Sequence, residues 1–178
     1  MENNQILELA TSFPPIIGTT PKILILGSMP GLESLKQQRY YAHPRNAFWP
    51  IITSLYGPSK KLDYSQRCEL LKQQQIAVWD VLKSCRRPGS LDQHIETESM
   101  IANDFVAFLQ RYPSINQILF NGGKADQVFK RYAAKQLEAA GISLLYRRLP
   151  STSPAHAAMN YETKQRLWHQ ALLKTVAP

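Results

Sequence analysis

The sequence is poor in cysteine and contains no long hydrophobic run. Its 2 cysteines are too few for an iron–sulfur cluster held by thiolates alone, and their spacing to the 4 histidines matches no zinc motif. No apolar stretch approaches the roughly 20 residues that cross a bilayer, and the first residues do not resemble a signal peptide. We therefore expect a cytoplasmic protein with no metal and no membrane partner.

Acidic residues are scarce relative to basic ones. The chain has 21 lysines and arginines against 13 aspartates and glutamates, a formal net charge of +8 and a pI near 9.6. This balance favours polyanionic partners, of which nucleic acid is the natural candidate. Basic pairs such as Arg86-Arg87 are spread along the chain, so each is most simply interpreted as a solvated face. At 178 residues the chain, residues 1–178, is expected to form a single domain.

Strand and helix patterns alternate after an N-terminal arm over residues 1–21. We predict strands at 22–27, 76–82, 117–120 and 142–149, and helices at 47–55, 65–75, 99–112, 123–138 and 161–175. The polar stretch 83–93 contains Gly and Pro and is predicted to be a loop. The alternation predicts an α/β fold, a three-layer α/β/α sandwich around a four-stranded, mostly parallel sheet.

The most informative segment lies between the first strand and the first helix. The turn 27–31 has the sequence Gly-Ser-Met-Pro-Gly, and residues 40–49 then supply two tyrosines, a histidine, an asparagine and Phe-Trp. Tight-turn residues, stacking rings and an amide behind a strand predict a pocket for a planar ring, because ligands of open α/β sheets bind at that edge. The glycines alone would also fit an ordinary loop, but long aromatic-rich loops are more often functional.

Residues that follow parallel strands converge on one edge of the sheet. Here they include Ser28, Asp80, Asn121 and the stretch 150–154. This set has no Ser/His/Asp order of the nucleophile-elbow type, and Lys124 lacks the glycine pattern of a phosphate loop. The predicted edge is therefore polar but matches neither an esterase triad nor a nucleotide-binding loop of the Walker type.

Four separated motifs together resemble the uracil-DNA glycosylase superfamily. They are residues 27–31, 41–49, 120–122 and 149–155, and they follow one another over most of the chain. Within that superfamily the pattern looks most like the hypoxanthine-DNA glycosylase, or DNA-deoxyinosine glycosylase, family. The mismatch-specific uracil and thymine glycosylases are the second most similar group.

The resemblance implies an enzyme of DNA repair. Such an enzyme hydrolyses the bond between a deaminated base and its deoxyribose and leaves an abasic site, without a metal or an organic cofactor. It must take the base out of the stack to do so. The implied partner is double-stranded or single-stranded DNA that contains deaminated bases, and we expect the protein to act as a monomer.

The resemblance assigns roles in the aromatic loop. Tyr41 matches the ring that stacks on the flipped base in the mismatch-specific relatives, a contact worth about 1–3 kcal/mol, and Phe48 is placed in the same pocket. Asn46 is the residue that the hypoxanthine family marks as essential, for positioning water and stabilising an oxocarbenium-like sugar. Many members of the superfamily carry Asp or Asn at the position of Met29. Because Met29 cannot position water, the resemblance assigns this role to Asn46. Capping of the following helix by Asn46 is an open alternative.

Further positions are assigned to base reading. Backbone N–H groups at Gly27 and Ser28 are expected to serve O6 of hypoxanthine. Asp80, where relatives place a base-reading polar residue, is expected to accept from N1–H, and Asn121 lies on the neighbouring edge. Hydrogen bonding of Asp80 to the loop that follows it is an equally open structural role.

DNA contacts are expected from the loop before the last helix. Ser151 and Ser153 lie in the segment that clamps DNA in the superfamily, where hydroxyl and N–H groups suit phosphate oxygens. Arg45 and His156 are further candidates for phosphate contact. Some relatives push a leucine into the duplex where this chain has Pro154-Ala155-His156, so the wedge residue is not assigned. These contacts predict activity that falls steeply with salt.

Two other functions fit the sequence. The first is a uracil or mismatch-specific DNA glycosylase, which matched oligonucleotides with different lesions would distinguish. The second is a nucleotide-binding α/β module without hydrolysis. Tight binding of a mononucleotide with no abasic-site formation would mark that module.

Overall fold

The computed structural model describes residues 9–58 and 60–173. The strands are β1 (Leu9–Thr11), β2 (Ile23–Gly27), β3 (Ile76–Asp80), β4 (Leu82–Arg86), β5 (Ile101–Ala102), β6 (Gln117–Asn121) and β7 (Leu145–Leu149). The helices are α1 (Leu32–Gln37), α2 (Phe48–Tyr56), α3 (Tyr64–Gln73), α4 (Phe105–Arg111), α5 (Gly123–Tyr132), α6 (Ala134–Ala139) and α7 (Tyr161–Leu173).

The central sheet has four parallel strands in the order β3-β2-β6-β7. Successive residues of a strand point to opposite faces, and both faces of β2 are buried. Leu24 and Leu26 pack with α4, α5 and α6, whereas Ile23 and Ile25 pack with α2, α3 and α7. The chain therefore forms the predicted three layers around a four-stranded sheet.

A second, antiparallel sheet with the order β1-β4-β5 was not predicted. The predicted strand 76–82 divides at Val81, whose N–H donates to the Gly27 carbonyl at 2.8 Å, and β4 then occupies the start of the predicted loop 83–93. The β4 sequence Leu-Lys-Ser-Cys-Arg is half polar, so it shows no apolar run. Its partner β1 belongs to the predicted N-terminal arm, whose residues 1–8 lie outside the described residues.

Helix boundaries differ from prediction in two regions. The helix predicted at 99–112 begins only at Phe105, because the Asp104 side chain caps it and residues 101–102 form β5. The helix predicted at 123–138 is divided at Ala133 into α5 and α6. Residues 174 and 175 of the last predicted helix lie outside the described part of the chain.

Parallel pairing sets the position of the site. The register pairs Gly27 with Asp80 and Asn121 with Leu149, so the four strands end level with one another. The segments that follow them consequently meet at one edge. In the described part of the chain, no helix combines the length and apolar character needed to span a membrane.

Candidate active site

The carboxyl edge of the central sheet borders a cavity of about 340 Å³. Its walls come from the turn after β2, the tyrosine loop (residues 38–47), the end of β3, residues 90–93 and the serine loop (residues 150–156). The predicted site residues that line it are Gly27, Ser28, Met29, Tyr41, Asn46, Asp80, Asn121, Ser151, Ser153 and His156. The volume is within the range of small-molecule sites.

Two predicted residues lie outside the cavity wall. Phe48 is fully buried beneath Tyr41, with ring centroids 4.0 Å apart and ring planes 28° apart. Arg45 is exposed and does not border the cavity. The prediction that Phe48 is a pocket residue is therefore corrected: it supports the Tyr41 ring from behind.

Tyr41 is held in a strained position. Its φ of +54° is in the left-handed region, which costs a non-glycine residue roughly 1–3 kcal/mol. Its Oη is buried and makes no hydrogen bond of ordinary geometry with a described residue. Burial, and then the nearby Asp80 carboxyl, raise the pKa of this phenol well above its ordinary value, although the Asn121 side chain lies near enough to lower that pKa in part. The ring thus stays neutral and is fixed against the cavity.

Asp80 places a buried carboxyl at the cavity wall. Its Oδ2 has no hydrogen-bond partner in the described part of the chain. Its Oδ1 crowds Gly27, where an added Cβ would lie only 2.5 Å away. Burial, and then the Asp92 carboxyl, raise the pKa of Asp80 to about 8, although the Arg87 guanidinium opposes this. Burial therefore favours the protonated carboxyl, which has one donor and one acceptor.

Asn46 lies one residue before Ala47, the N-cap of α2, and its side chain both binds the first N–H of that helix and lines the cavity. Its Oδ1 accepts from the Phe48 N–H at 2.9 Å, and its own N–H donates to the His43 carbonyl at 2.9 Å. Only the amide oxygen can accept, so the cap fixes the orientation of the amide. The oxygen keeps a second lone pair, and Nδ2 donates no hydrogen bond to another described residue. Capping and ligand binding are therefore compatible at Asn46.

Asn121 joins the sheet to the serine loop. Its Nδ2 donates to Thr152 Oγ1 at 2.8 Å, and its Oδ1 accepts from the Thr152 N–H at 2.9 Å. The Thr152 carbonyl in turn accepts from the Ala47 N–H at 3.0 Å. This chain of contacts holds the serine loop and the tyrosine loop on opposite sides of one cavity.

The serine loop is braced from within and from α7. Ser151 Oγ accepts from the Ser153 N–H, and Ser153 Oγ accepts from the Ala155 N–H, each at 3.2 Å. The His156 carbonyl accepts from the buried Lys164 Nζ at 2.7 Å, and burial lowers the pKa of that lysine. The Nδ1 of His156 is buried and finds no partner within residues 9–58 and 60–173.

A family model decides the relationship of the chain to known proteins. The model described as the uracil DNA glycosylase superfamily matches residues 14–176. The chain belongs to this superfamily. The predicted resemblance is therefore confirmed over nearly the whole sequence.

Similar members of the superfamily support the closer resemblance. A hypoxanthine DNA glycosylase of Methanosarcina barkeri is 39% identical over 116 residues, which are 65% of this chain and 72% of that protein. One of Methanosarcina acetivorans is 37% identical over the same shares. A G/U mismatch-specific uracil DNA glycosylase of Schizosaccharomyces pombe is 23% identical over 90% of this chain and 53% of that protein.

The predicted fold is also confirmed by a solved structure. A protein of Methanosarcina acetivorans, provisionally assigned as a uracil DNA glycosylase and solved by NMR in solution, superposes with a TM-score of 0.77. Its sequence is 30% identical, and the match covers 96% of this chain and all of that chain. Among the described residues of this superfamily member, no group of three or more His, Cys, Asp or Glu could hold a metal ion.

The sequence analysis missed one charged network beside the cavity, and its interpretation of the pair Arg86-Arg87 as a solvated face is wrong for Arg87. Arg87 has a side chain only 1% exposed; its Nε donates to the Gly89 carbonyl at 2.9 Å and its Nη2 donates to the Pro30 carbonyl. Asp92 lies 3.7 Å from Arg87 Nη1 and accepts from Ser28 Oγ at 2.8 Å. No spacing marks these residues, because only the fold of 87–92 against the turn after β2 makes Arg87 an interior group.

Replacing Arg87 with Met is expected to destabilise the protein by about 2–4 kcal/mol, because the Pro30 and Gly89 carbonyls lose their donor and the Asp92 carboxyl loses its neighbouring positive charge. R87K is expected to recover only part of this loss, since one ammonium cannot reproduce the guanidinium fork. The matched control is R86M, because Arg86 is exposed on β4. Urea unfolding of the three variants measures the effect, and equal midpoints for R87M and R86M would contradict it.

Proposed function

We propose that this member of the uracil DNA glycosylase superfamily hydrolyses the N-glycosidic bond of deaminated bases in DNA, with hypoxanthine as the preferred base. The cavity itself is the main evidence for this proposal. The Tyr41 ring, the buried Asp80 carboxyl and the Asn46 amide surround a space large enough for one base. The names of the two Methanosarcina relatives support the choice of base.

Asp80 is proposed to read the base. Hypoxanthine presents an N1–H donor beside the O6 acceptor, and a protonated carboxyl presents an acceptor beside a donor. Two hydrogen bonds would satisfy the lactam edge once the carboxyl turns its buried Oδ2, which has no partner among the described residues, toward the cavity. This keeps the expected acceptance from N1–H and adds a donor to O6 beside the backbone N–H groups of Gly27 and Ser28, because the raised pKa favours the neutral acid.

Asn46 is proposed to position the attacking water. The second lone pair of Oδ1 would accept one water proton, which turns a water lone pair toward C1′ of the sugar. The water oxygen bonds to C1′ as the C1′–N9 bond breaks. The bond's electron pair leaves with the base. The attacking water then loses one proton and the base gains one, so that free hypoxanthine and a neutral abasic sugar result. The partial negative charge of Oδ1 also favours the oxocarbenium-like sugar.

DNA is the proposed partner, double-stranded or single-stranded. We propose that the protein acts as a monomer in the cytoplasm. Ser151, Ser153, His156 and Arg45 are proposed to contact phosphates. The first three line the cavity, which supports their assignment. The rate at low enzyme concentration is expected to fall steeply with salt for this reason.

A lesion panel tests this function. The protein is incubated with duplexes that carry inosine, uracil or xanthine at one matched position, and alkali then cleaves any abasic site. Inosine duplexes are expected to be cleaved fastest. Uracil cleaved fastest would instead favour the uracil or mismatch-specific alternative, and tight mononucleotide binding without cleavage of any duplex would favour the binding module.

Tyr41→Leu is expected to lower kcat/KM for inosine DNA by about 5- to 150-fold, because a stacked base contact is worth about 1–3 kcal/mol. The matched control is Y41F, which keeps the ring and removes only an Oη that makes no hydrogen bond of ordinary geometry with a described residue. Single-turnover assays at subsaturating enzyme measure both. A Y41L rate equal to that of Y41F would show that the ring does not stack on the base.

A further inference from the structure

A second cavity, the outer groove, opens on the other side of the tyrosine loop. It has a volume of about 840 Å³ and is bounded by that loop, the start of α2, residues 61–63 and the start of α3. It shares Tyr40, Tyr41, His43 and Asn46 with the base cavity. A strand that enters the base cavity can therefore continue into the outer groove without crossing more than one loop.

The outer groove carries a net positive charge. Its walls include Arg39, Lys61 and Arg67, of which the first two are exposed. The acidic residue in its wall is Asp63, whose Oδ1 already accepts from the Gln66 N–H at 2.8 Å as the cap of α3. An anion in the groove would thus meet three cations and one carboxylate that is engaged elsewhere.

Aromatic rings hold two of these cations in place. The Arg39 guanidinium lies 5.4 Å from the ring centroid of Tyr64, and the Arg67 guanidinium lies 5.9 Å from that of Trp49. Such cation–π contacts leave the guanidinium N–H groups free to donate outward. Basic side chains interleaved with rings are typical of surfaces that track a nucleic-acid backbone.

The side chains of Tyr64 and Trp49 also form hydrogen bonds with the backbone of the tyrosine loop. The Tyr40 N–H donates to Tyr64 Oη at 3.0 Å, and Trp49 Nε1 donates to the Tyr40 carbonyl at 2.8 Å. Tyr40 directly precedes Tyr41, the strained residue of the base cavity. The groove wall and the proposed base-stacking ring are therefore parts of one braced unit.

We propose that the outer groove binds the lesion-bearing DNA strand on one side of the flipped nucleotide, through phosphate contacts to Arg39, Lys61 and Arg67. The choice of DNA as occupant rests on the proposed function. Three observations support the groove as a binding site for an anionic strand. The two cavities are continuous, the groove has a surplus of positive charge, and aromatic rings support two of its guanidinium groups. Sequence spacing alone gave no sign of this surface, since its cations come from three separate segments.

The test uses the exposed pair, R39Q/K61Q, so that the half-buried Arg67 and its hydrogen bond to the Leu62 carbonyl stay intact. The matched control is R131Q/K22Q. Arg131 also lies over a tyrosine ring, at 5.3 Å, and both residues are exposed at the opposite edge of the sheet. Both variants lose the same charge and one comparable cation–π contact.

Fluorescence anisotropy with a duplex that carries a tetrahydrofuran abasic analogue measures affinity without requiring catalysis. R39Q/K61Q is expected to raise Kd about tenfold near 0.1 M salt and to reduce the slope of log affinity against log salt by about 2. The control is expected to match wild type. Equal affinities and slopes for the two variants would overturn the proposal.

Shortening the lesion strand locates the contact. Trimming it close to the analogue on the side that lies in the groove is expected to weaken wild type but not R39Q/K61Q, whereas trimming on the other side is expected to affect both proteins equally. Equal sensitivity of wild type and variant on both sides would overturn the groove as a strand path. Loss of the variant's affinity together with no base release by wild type would keep the groove and reject the proposed reaction.

Discussion

Asn46→Ala is expected to lower the single-turnover rate of hypoxanthine release by about 10²- to 10³-fold, the usual cost of losing one preorganised polar group at a transition state. The rate is measured with enzyme in saturating excess, so that weaker DNA binding does not enter. Met29 cannot replace the lost amide, because a thioether is only a weak acceptor.

The cap made by Asn46 must be separated from its proposed role in catalysis. Loss of the bond from Oδ1 to the Phe48 N–H is expected to cost about 1 kcal/mol of stability. Asn46→Ser restores a capping oxygen but is too short to serve the cavity as well. We therefore expect N46S to unfold like wild type and to react like N46A. A fully active N46A, or an N46S that restores activity along with stability, would leave Asn46 as a cap alone.

Asp80→Ala is expected to lower kcat/KM for inosine DNA by about 100-fold, because two hydrogen bonds to the base edge are lost at roughly 1–1.5 kcal/mol each. Asp80→Asn keeps an acceptor and a donor on the same frame and is expected to stay within a few-fold of wild type at pH 7. An inactive D80N beside an equally inactive D80A would indicate that the ionised carboxylate is needed.

The pH dependence gives a separate measure of the same group. With a pKa of about 8, Asp80 loses its proton and its donor to O6 as pH rises through that value, so wild-type activity is expected to fall there. The amide introduced by D80N cannot ionise, so the activity of this variant is expected to fall less over the same range. Any ionisation of the substrate affects both proteins equally. Identical profiles would contradict a protonated Asp80.

The stability of the folded protein, like its activity, is expected to fall as the pH rises. The folded pKa of Asp80 lies above its unfolded value of about 4, so folding favours the protonated form. The stabilisation is fully present below pH 4 and is lost as pH rises through 8. The melting temperature of D80N is therefore expected to rise relative to that of wild type as the pH increases from 5 to 8.

The fold was predictable where apolar pattern and turn residues agree. β2 is an unbroken aliphatic run that ends at Gly27, and Gly141 closes the helical region before β7 with a φ of +69°. β4 escaped prediction because its sequence is half polar and its pairing is with β1 and β5, which are short. Antiparallel pairing of such strands depends on long-range contacts that no local pattern contains.

The candidate site was predictable as a set of strand ends but not as a network. Topology brings Ser28, Asp80 and Asn121 together, as expected for parallel strands. The protonated state of Asp80 depends on its burial and on Asp92, and the interior position of Arg87 depends on a loop folding across the turn after β2. These are properties of packing, so residue type and spacing do not reveal them.

The central claim is that water enters the deoxyribose as free hypoxanthine leaves, inside this cavity. It is tested most directly by reacting an inosine duplex with the wild-type protein in ¹⁸O-labelled water and analysing both products by mass spectrometry immediately. We expect free hypoxanthine in a one-to-one ratio with an abasic strand that carries the label at C1′, and at the same early time N46A is expected to yield roughly a hundredth or less of either product. An intact inosine strand after prolonged incubation, or an equal yield from N46A, would contradict the account.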